Sequence, residues 1–439
     1  MSPPEPFVSS ANAKTPRVAI VVDNASMQMS GETSTPLYYM RFFRKWGVDT
    51  RLVVHCRCEQ ELRETLSPEE ISVFTFLDDT SLMKLTHRLF QYSPDRIRSL
   101  IGAQLIHWLT GLQARRVVKQ MAANDLIDVV FEPTPIAPKS VSCMYSVGVP
   151  AVIGPMCGGL SFPPAFRFMD PMWVKLGVSA GRILAQTANR ISPGKLHAKA
   201  LIVGNDRAAR ALPNGTRGTR YTVVESGVDL TTVTPAPFPR RAKSEPARFV
   251  YFARFVDWKG VKFLVDAFPR VLVRTDAVLD LIGDGDLLEA TQAQARRLGI
   301  SDHVNFYGRL PLAEGIEIMK KADAYMATGL RECGGLALLE AMGCGTPVIA
   351  CNWMAPGEYV DDSCGIRIDV SSEQALVDGL TDAMVRIAED EELRKRLSAG
   401  AVARAQGNYF GWEAKSRRVL EILTEVVSRE SSTRAETAS

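Results

Sequence analysis

Two carboxylates, Glu332 and Glu340, stand eight positions apart around the pair Gly334-Gly335, and the stretch from Leu336 to Met342 is rich in leucine and alanine and free of breakers. Such a run predicts a helix beginning near Gly335. The first amides of a helix have no intrahelical partner and its dipole adds partial positive charge, so an N-terminus unhindered by side chains suits a phosphate. Glu332 lies in the loop before that end, where its carboxylate can accept hydrogen bonds from hydroxyls beside the phosphate. Glu340 lies four to five residues into the helix, ~6–8 Å from the anion at ~1.5 Å per residue. That is about the reach from a diphosphate back to its ribose, so the segment reads as a receptor for a sugar, a diphosphate and a ribose in line. Gly343-Cys344-Gly345-Thr346-Pro347-Val348 then ends the helix and starts a buried strand.

The elements that must hold such a site read as alternating strands and helices. Phe249 to Ala253 is a strand, and the loop after it carries Arg254 and Lys259 before a helix from Val261 to Val271. Paired cations beside a helix start suit a diphosphate. Further on, Val278 to Ile282 is a strand, and Asp284-Gly285-Asp286 after it is expected as a helix-capping turn rather than a metal site, because Arg254 and Lys259 already supply the charge of a magnesium ion. In the other half, the apolar run from Arg17 to Asp23, a loop with Gly31, a helix from about Pro36 to Lys45 and a strand from Thr50 to His55 open a parallel sheet whose C-terminal edge is where ligands usually bind. Asp128 to Phe131 and Val149 to Ile153 are further buried strands. The loops leaving them, Glu132 to Pro138 and Gly154 to Pro164, fall on the same side, and Gly158 and Gly159 permit close approach of backbone to ligand.

On the paired Glu motif, its glycine and the following Gly-Thr-Pro-Val strand, the chain resembles the family-4 retaining glycosyltransferases of the GT-B fold, and its Gly154-Pro155-Met156-Cys157-Gly158-Gly159 loop resembles a bacterial subgroup. The resemblance covers most of residues 17 to 427. It implies an α/β architecture of two Rossmann-like domains, each with a parallel sheet, facing across a cleft, with a C-terminal helix crossing back to the first domain. It further implies that Arg254 and Lys259, with the amides of Gly334, Gly335 and Leu336, neutralise the leaving diphosphate, that Glu340 binds ribose and that Glu332 orients the donor sugar. Gly308, Arg309 and Leu310, at the end of the strand from Val304, would meet the nucleobase through backbone groups. The chain departs from the family at three points: Ser30 stands where a second glycine is usual beside Gly31, Ser226 replaces the usual Asn, and the histidine that follows the strand before Gly154 in many relatives is missing. Retention by same-face attack, with the leaving phosphate oxygen taking the acceptor proton, needs no covalent carboxylate nucleophile. No metal and no cofactor are expected.

With 439 residues, 46% hydrophobic and 23% charged, the chain is large enough for two domains. The boundaries read as a disordered start at 1–15, a first domain at 16–235, a proline-rich linker at 236–247, a nucleotide-sugar domain at 248–410, a helix at 411–427 and a polar tail at 428–439. A net charge of +3 implies no strong nucleic-acid partner. Eight cysteines without a C-x-x-C pair read as small buried thiols of a reducing compartment. The N-terminus has prolines and acid where a signal peptide needs a basic end and an apolar core, and no apolar run spans a membrane, so a cytosolic protein is expected.

The acceptor leaves a fainter record. From Met83 to Gln120, seven Lys or Arg face one acid, Asp95, while Leu82, Leu85, Leu89 and Phe90 fall at helical spacing and Ile97 to Leu112 continue the stripe. From Arg167 to Lys199, six bases again face one acid beside Phe166, Phe168, Met169, Met172 and Trp173. One reading is a basic amphipathic surface on the inner face of an anionic membrane, with a lipid or lipid-linked acceptor. The other is an apolar stripe packed into the first domain under a solvated charged face. A soluble or polysaccharide acceptor, a nucleotide-sugar epimerase and a nucleotide-sugar sensor are the remaining alternatives.

Overall fold

The computed structural model describes residues 15–438 apart from 29–30, 93–101, 171, 240, 243 and 408–409. Most of the N-terminal stretch expected to be disordered, Ser30, and the stripe and charges from Asp95 to Ile101 therefore lie outside the described residues. So do the side chains of Met172 and Trp173. The chain divides into two compact units. The first comprises Met1–Gly159, Gly177–Glu225 and Glu413–Ser439, and the second Leu160–Leu176 and Ser226–Trp412.

In the first unit, seven strands run in the order β3-β2-β1-β4-β5-β6-β7. They are β1 (Val18–Val21), β2 (Thr50–His55), β3 (Phe74–Leu77), β4 (Val129–Glu132), β5 (Ala151–Met156), β6 (Ala200–Val203) and β7 (Thr219–Thr222). Every pairing is parallel. Short runs such as Val18-Ala19-Ile20-Val21 are apolar at every position because helices cover both faces of such a sheet. The second unit repeats the plan with six strands, β10-β9-β8-β11-β12-β13, again all parallel. They are β8 (Ala247–Phe252), β9 (Ala277–Ile282), β10 (Val304–Gly308), β11 (Ala324–Ala327), β12 (Val348–Cys351) and β13 (Gly365–Ile368). These are the two parallel sheets expected of the GT-B fold.

Strand order reverses at one place in each sheet, between β1 and β4 in the first and between β8 and β11 in the second. Loops leaving the C-terminal ends on either side of such a point diverge and leave a crevice, where open α/β sheets bind ligands.

Several boundaries differ from the sequence reading. Residues 160–176 belong with the second unit, because Phe162 and Phe166 are buried in its core. Phe166 meets Phe263 edge-on at 5.5 Å, and Trp353 Nε1 donates to Ser161 O at 2.8 Å. Residues 226–235 join it as well, with Val228 and Val233 packed beside Gly343. The last helix packs on the first unit, as expected of a helix crossing back, but runs from Trp412 to Ala438 instead of ending near 427. Lys199 pairs with Glu430 at 2.6 Å, and the hydroxyls of Ser431, Ser432 and Thr433 return to carbonyls one turn earlier, which carries the polar sequence on as helix.

Candidate active site

At the reversal in the second sheet, two loops are stitched together. Gly260 has φ +70°, and a side chain there would press its Cβ to 2.3 Å from Thr328 O, so only glycine lets the loop after β8 lie against the end of β11. Thr328 Oγ1 donates to Lys259 O at 2.7 Å, and Leu330 N donates to Trp258 O at 2.8 Å. These bonds bring Lys259 to Glu332, and the two side chains form an ion pair. Ala355 N fixes the same turn by donating to Glu332 O at 3.2 Å. Arg254 is exposed, lies 5.7 Å from the Trp258 ring centroid, and has no acidic partner among the described residues.

The helix after β11 spans Leu336–Gly343, with Gly335 as its N-cap and no side chain capping it. Leu339 N is the first amide to bond back, to Gly335 O at 2.8 Å, so the preceding amides of the first turn have no intrahelical partner. Glu340 sits on this helix, only 5% exposed, and its carboxyl has no hydrogen-bond or charge partner among the described residues. Burial alone pushes its pKa up to about 7.

Of the sequence-predicted residues, the structure gathers Arg254, Lys259, Glu332, Gly334, Gly335, Leu336 and Glu340 on the loops and helix that flank the reversal. Lys259, expected on a diphosphate, pairs with Glu332 in this structure. Gly308, Arg309 and Leu310 lie where β10 ends, with Gly308 at φ +65° and open space around its Cα. The Asp284-Gly285-Asp286 turn caps no helix. Asp284 Oδ1 accepts from Gly285 N at 2.8 Å, and the next helix starts at Leu288 without a side-chain cap.

The first unit's residues are distributed differently. Gly31 begins the Gly31–Lys45 helix, where Ser34 and Thr35 hydroxyls donate to its carbonyl. A Cβ on Gly158 would meet Pro138 Cδ at 2.5 Å and one on Gly159 would meet Arg207 Cγ at 2.7 Å. Both glycines are therefore required by their own unit's packing.

A charged cluster that sequence reasoning missed lies at the reversal between β1 and β4. His107 donates through Nδ1 to the Asp23 carboxylate and through Nε2 to Val141 O at 3.0 Å. Burial lowers the imidazole pKa, but the Asp23 carboxylate more than offsets this and raises it to about 9. Glu132 ends β4, and burial pushes its carboxyl up against the opposing pull of Ser142, His107 and Lys195. Lys195 is pushed down by burial and donates to Ala137 O at 2.8 Å and Pro138 O at 3.1 Å. Elsewhere in this unit His55, Cys56 and Asp79 bring one ligand atom each within 4.8 Å of one another. His55 Nδ1 accepts from Arg57 N at 3.2 Å and so caps its turn.

Residues 234–404 match the family described as "Glycosyl transferases group 1". The matched stretch lies within the second unit. The chain is 28% identical over 214 residues to the phosphatidyl-myo-inositol mannosyltransferase of Mycobacterium leprae, a match covering 47% of this chain and 54% of that relative. It is 30% identical over 216 residues to the GDP-mannose-dependent monoacylated alpha-(1-6)-phosphatidylinositol monomannoside mannosyltransferase of Corynebacterium glutamicum, covering 45% and 54%. The chain thus spans about half the length of the curated relatives it matches. In fold it is similar to a glycosyltransferase from Rickettsia africae, with TM-score 0.62 and 13% identity over 93% of this chain and 98% of that one. The matched stretch includes Arg254, Lys259, Glu332 and Glu340.

Proposed function

We propose that the protein is a retaining hexosyltransferase that moves a sugar from a nucleoside diphosphate sugar to a membrane lipid or lipid-linked acceptor without a metal ion. The observation that carries this reading is the buried, unpartnered Glu340 carboxyl on a helix whose uncapped N-terminus lies at the sheet's reversal point. A carboxylate so placed calls for donors that a ribose supplies, and the amides before it call for an anion. Arg254 and Lys259 then neutralise charge developing on the leaving diphosphate, which is the main catalytic device. When Lys259 turns to the diphosphate, Glu332 is released to accept from donor-sugar hydroxyls.

The lipid acceptor is supported by the outer face of the Ser81–Phe90 helix. Met83 and Thr86 face inward, while Leu82, Leu85 and Leu89 are 54%, 50% and 66% exposed beside exposed Lys84 and Arg88. The stripe therefore points outward on this helix. On the Ala103–Ala123 helix the stripe is divided, for Trp108 and Leu112 pack partly buried against the first unit's core while Leu105 is 39% exposed. No described helix is long and apolar enough to cross a membrane. The combination of exposed leucines and cations fits a peripheral contact with anionic lipid. Replacing Leu82, Leu85 and Leu89 by Ser is expected to abolish co-sedimentation with phosphatidylglycerol vesicles at low salt while leaving nucleotide affinity unchanged. Equal sedimentation of the triple variant and the parent would remove the membrane contact.

The catalytic reading is tested by nucleotide release from UDP-, GDP- and ADP-sugars with and without bacterial lipid extract, in EDTA. Release accompanied by a new glycolipid is expected, and Arg254→Ala should slow it by about 100-fold. Release without glycolipid would point to a soluble acceptor, and isomerised donor without release to an epimerase. Binding without any turnover would leave a sensor.

A further inference from the structure

The second unit holds a cavity of about 500 Å³ that the proposed reaction does not use. Among its walls are Arg367 on the edge strand β13, Arg386 on the Glu373–Glu389 helix, and Arg396, Leu393 and Leu397 on the Glu391–Gln406 helix, with Asp362 from the turn before β13. Three arginines from three elements thus line the cavity, with Asp362 as the one acid among its lining residues. That carboxylate neutralises little, since the Asp362 side chain is 89% exposed and meets only Arg367, at 3.1 Å. Arg396 Nη1 donates to the Asp362 carbonyl at 3.2 Å, and the Arg386 guanidinium has no hydrogen-bond or ionic partner among the described residues. Two nearby acids are engaged elsewhere. Asp382 pairs with Arg274 at 3.3 Å, and Asp390 caps its helix by accepting from Leu393 N at 2.8 Å.

We infer that this cavity is a binding site for a phosphate monoester of a sugar or small polyol, distinct from the nucleotide loops at the reversal between β8 and β11. Planar guanidinium forks match phosphate oxygens bidentately, and a dianion removes the mutual repulsion of three cations. The carbon body is called for by the room available, since the cavity exceeds by more than tenfold the ~30 Å³ share of one water. A bare inorganic anion would leave most of it filled with solvent.

Titration calorimetry on the full chain with glucose 6-phosphate, inorganic phosphate and glucose tests this site. Saturable binding of glucose 6-phosphate is expected, stronger than that of inorganic phosphate, with none for glucose. The double variant Arg386→Gln/Arg396→Gln should bind it at least about tenfold more weakly while keeping parental affinity for UDP and GDP. Arg386→Lys/Arg396→Lys, which keeps the charge but loses the fork, should fall between the two. The absence of saturable binding up to about 10 mM would overturn the proposal. So would equal affinity in parent and Gln variant, or displacement by UDP or GDP, since each places the ligand elsewhere. Nucleotide affinity is read separately, so failure of this site leaves the donor assignment standing, and the reverse.

Discussion

Glu340→Gln is expected to stabilise the ligand-free protein at pH 8 and, in the same molecule, to weaken nucleotide binding. The Glu340 carboxyl is raised by burial to about 7 from an ordinary 4.5. Between those values the folded state holds a proton that the unfolded state has released, so stability falls as pH rises through this window and stays low above it. A shift of this size corresponds to about 3 kcal/mol at pH 8, an upper figure because some solvent reaches a strained buried charge. The amide keeps the shape and carries no charge. Denaturant unfolding of the second unit should therefore favour the variant at pH 8 and show little difference at pH 5. Nucleotide affinity should move the opposite way, by about 10- to 150-fold for loss of charge-assisted bonds worth about 1.5–3 kcal/mol. Unchanged UDP and GDP affinity would falsify the ribose assignment. Equal pH profiles would mean that water relieves the carboxyl already.

The loop and helix after β11 were legible because their signals are local. A glycine pair, a breaker-free helix and a Gly-Thr-Pro-Val strand lie within twenty residues, and the helix begins at Leu336, one residue from expectation. Local pattern could not reveal that Lys259 pairs with Glu332, since 73 residues separate them and the contact depends on Gly260 lying against Thr328. The Leu82, Leu85 and Leu89 stripe shows the limit of periodicity. It identifies one face of a helix but not which side is covered, and here the buried face is carried by Met83 and Thr86. Asp284 illustrates the competition between a turn and a cap, because its carboxylate is taken by the adjacent Gly285 amide before any helix begins. The cluster of Asp23, His107, Glu132 and Lys195 was the deepest omission. Its members are spread over four elements and carry no spacing signal. Only the rigid Glu132 to Pro138 loop and the Ser192-Pro193-Gly194-Lys195 turn marked the neighbourhood, and their ionisable side chains turn inward.

That inward turn sets up a large expected effect on the first unit. Lys195 and Glu132 are 1% and 6% exposed, and burial drives the ammonium down and the carboxyl up. Each makes the other's charge tolerable, and Lys195 also satisfies the carbonyls of Ala137 and Pro138 in a loop where prolines supply no amides of their own. Lys195→Met should destabilise the first unit by about 1–3 kcal/mol, because it leaves the Ala137 and Pro138 carbonyls without their donor and takes from the buried Glu132 carboxylate one of the two cations, with His107, that favour its charge. Pairing it with Glu132→Gln removes the charge left with less support, so the double variant should recover part of the loss despite losing more polar groups. Hydrogen exchange of β4 and β5 amides reads this locally and is insensitive to the second unit's separate opening. A double variant no better than Lys195→Met would shift the explanation to the two carbonyls, whose lost donor neither substitution replaces. Recovery would make the pair a matter of charge, and would mean that an apolar residue in place of Lys195 is tolerated only where Glu132 is neutral.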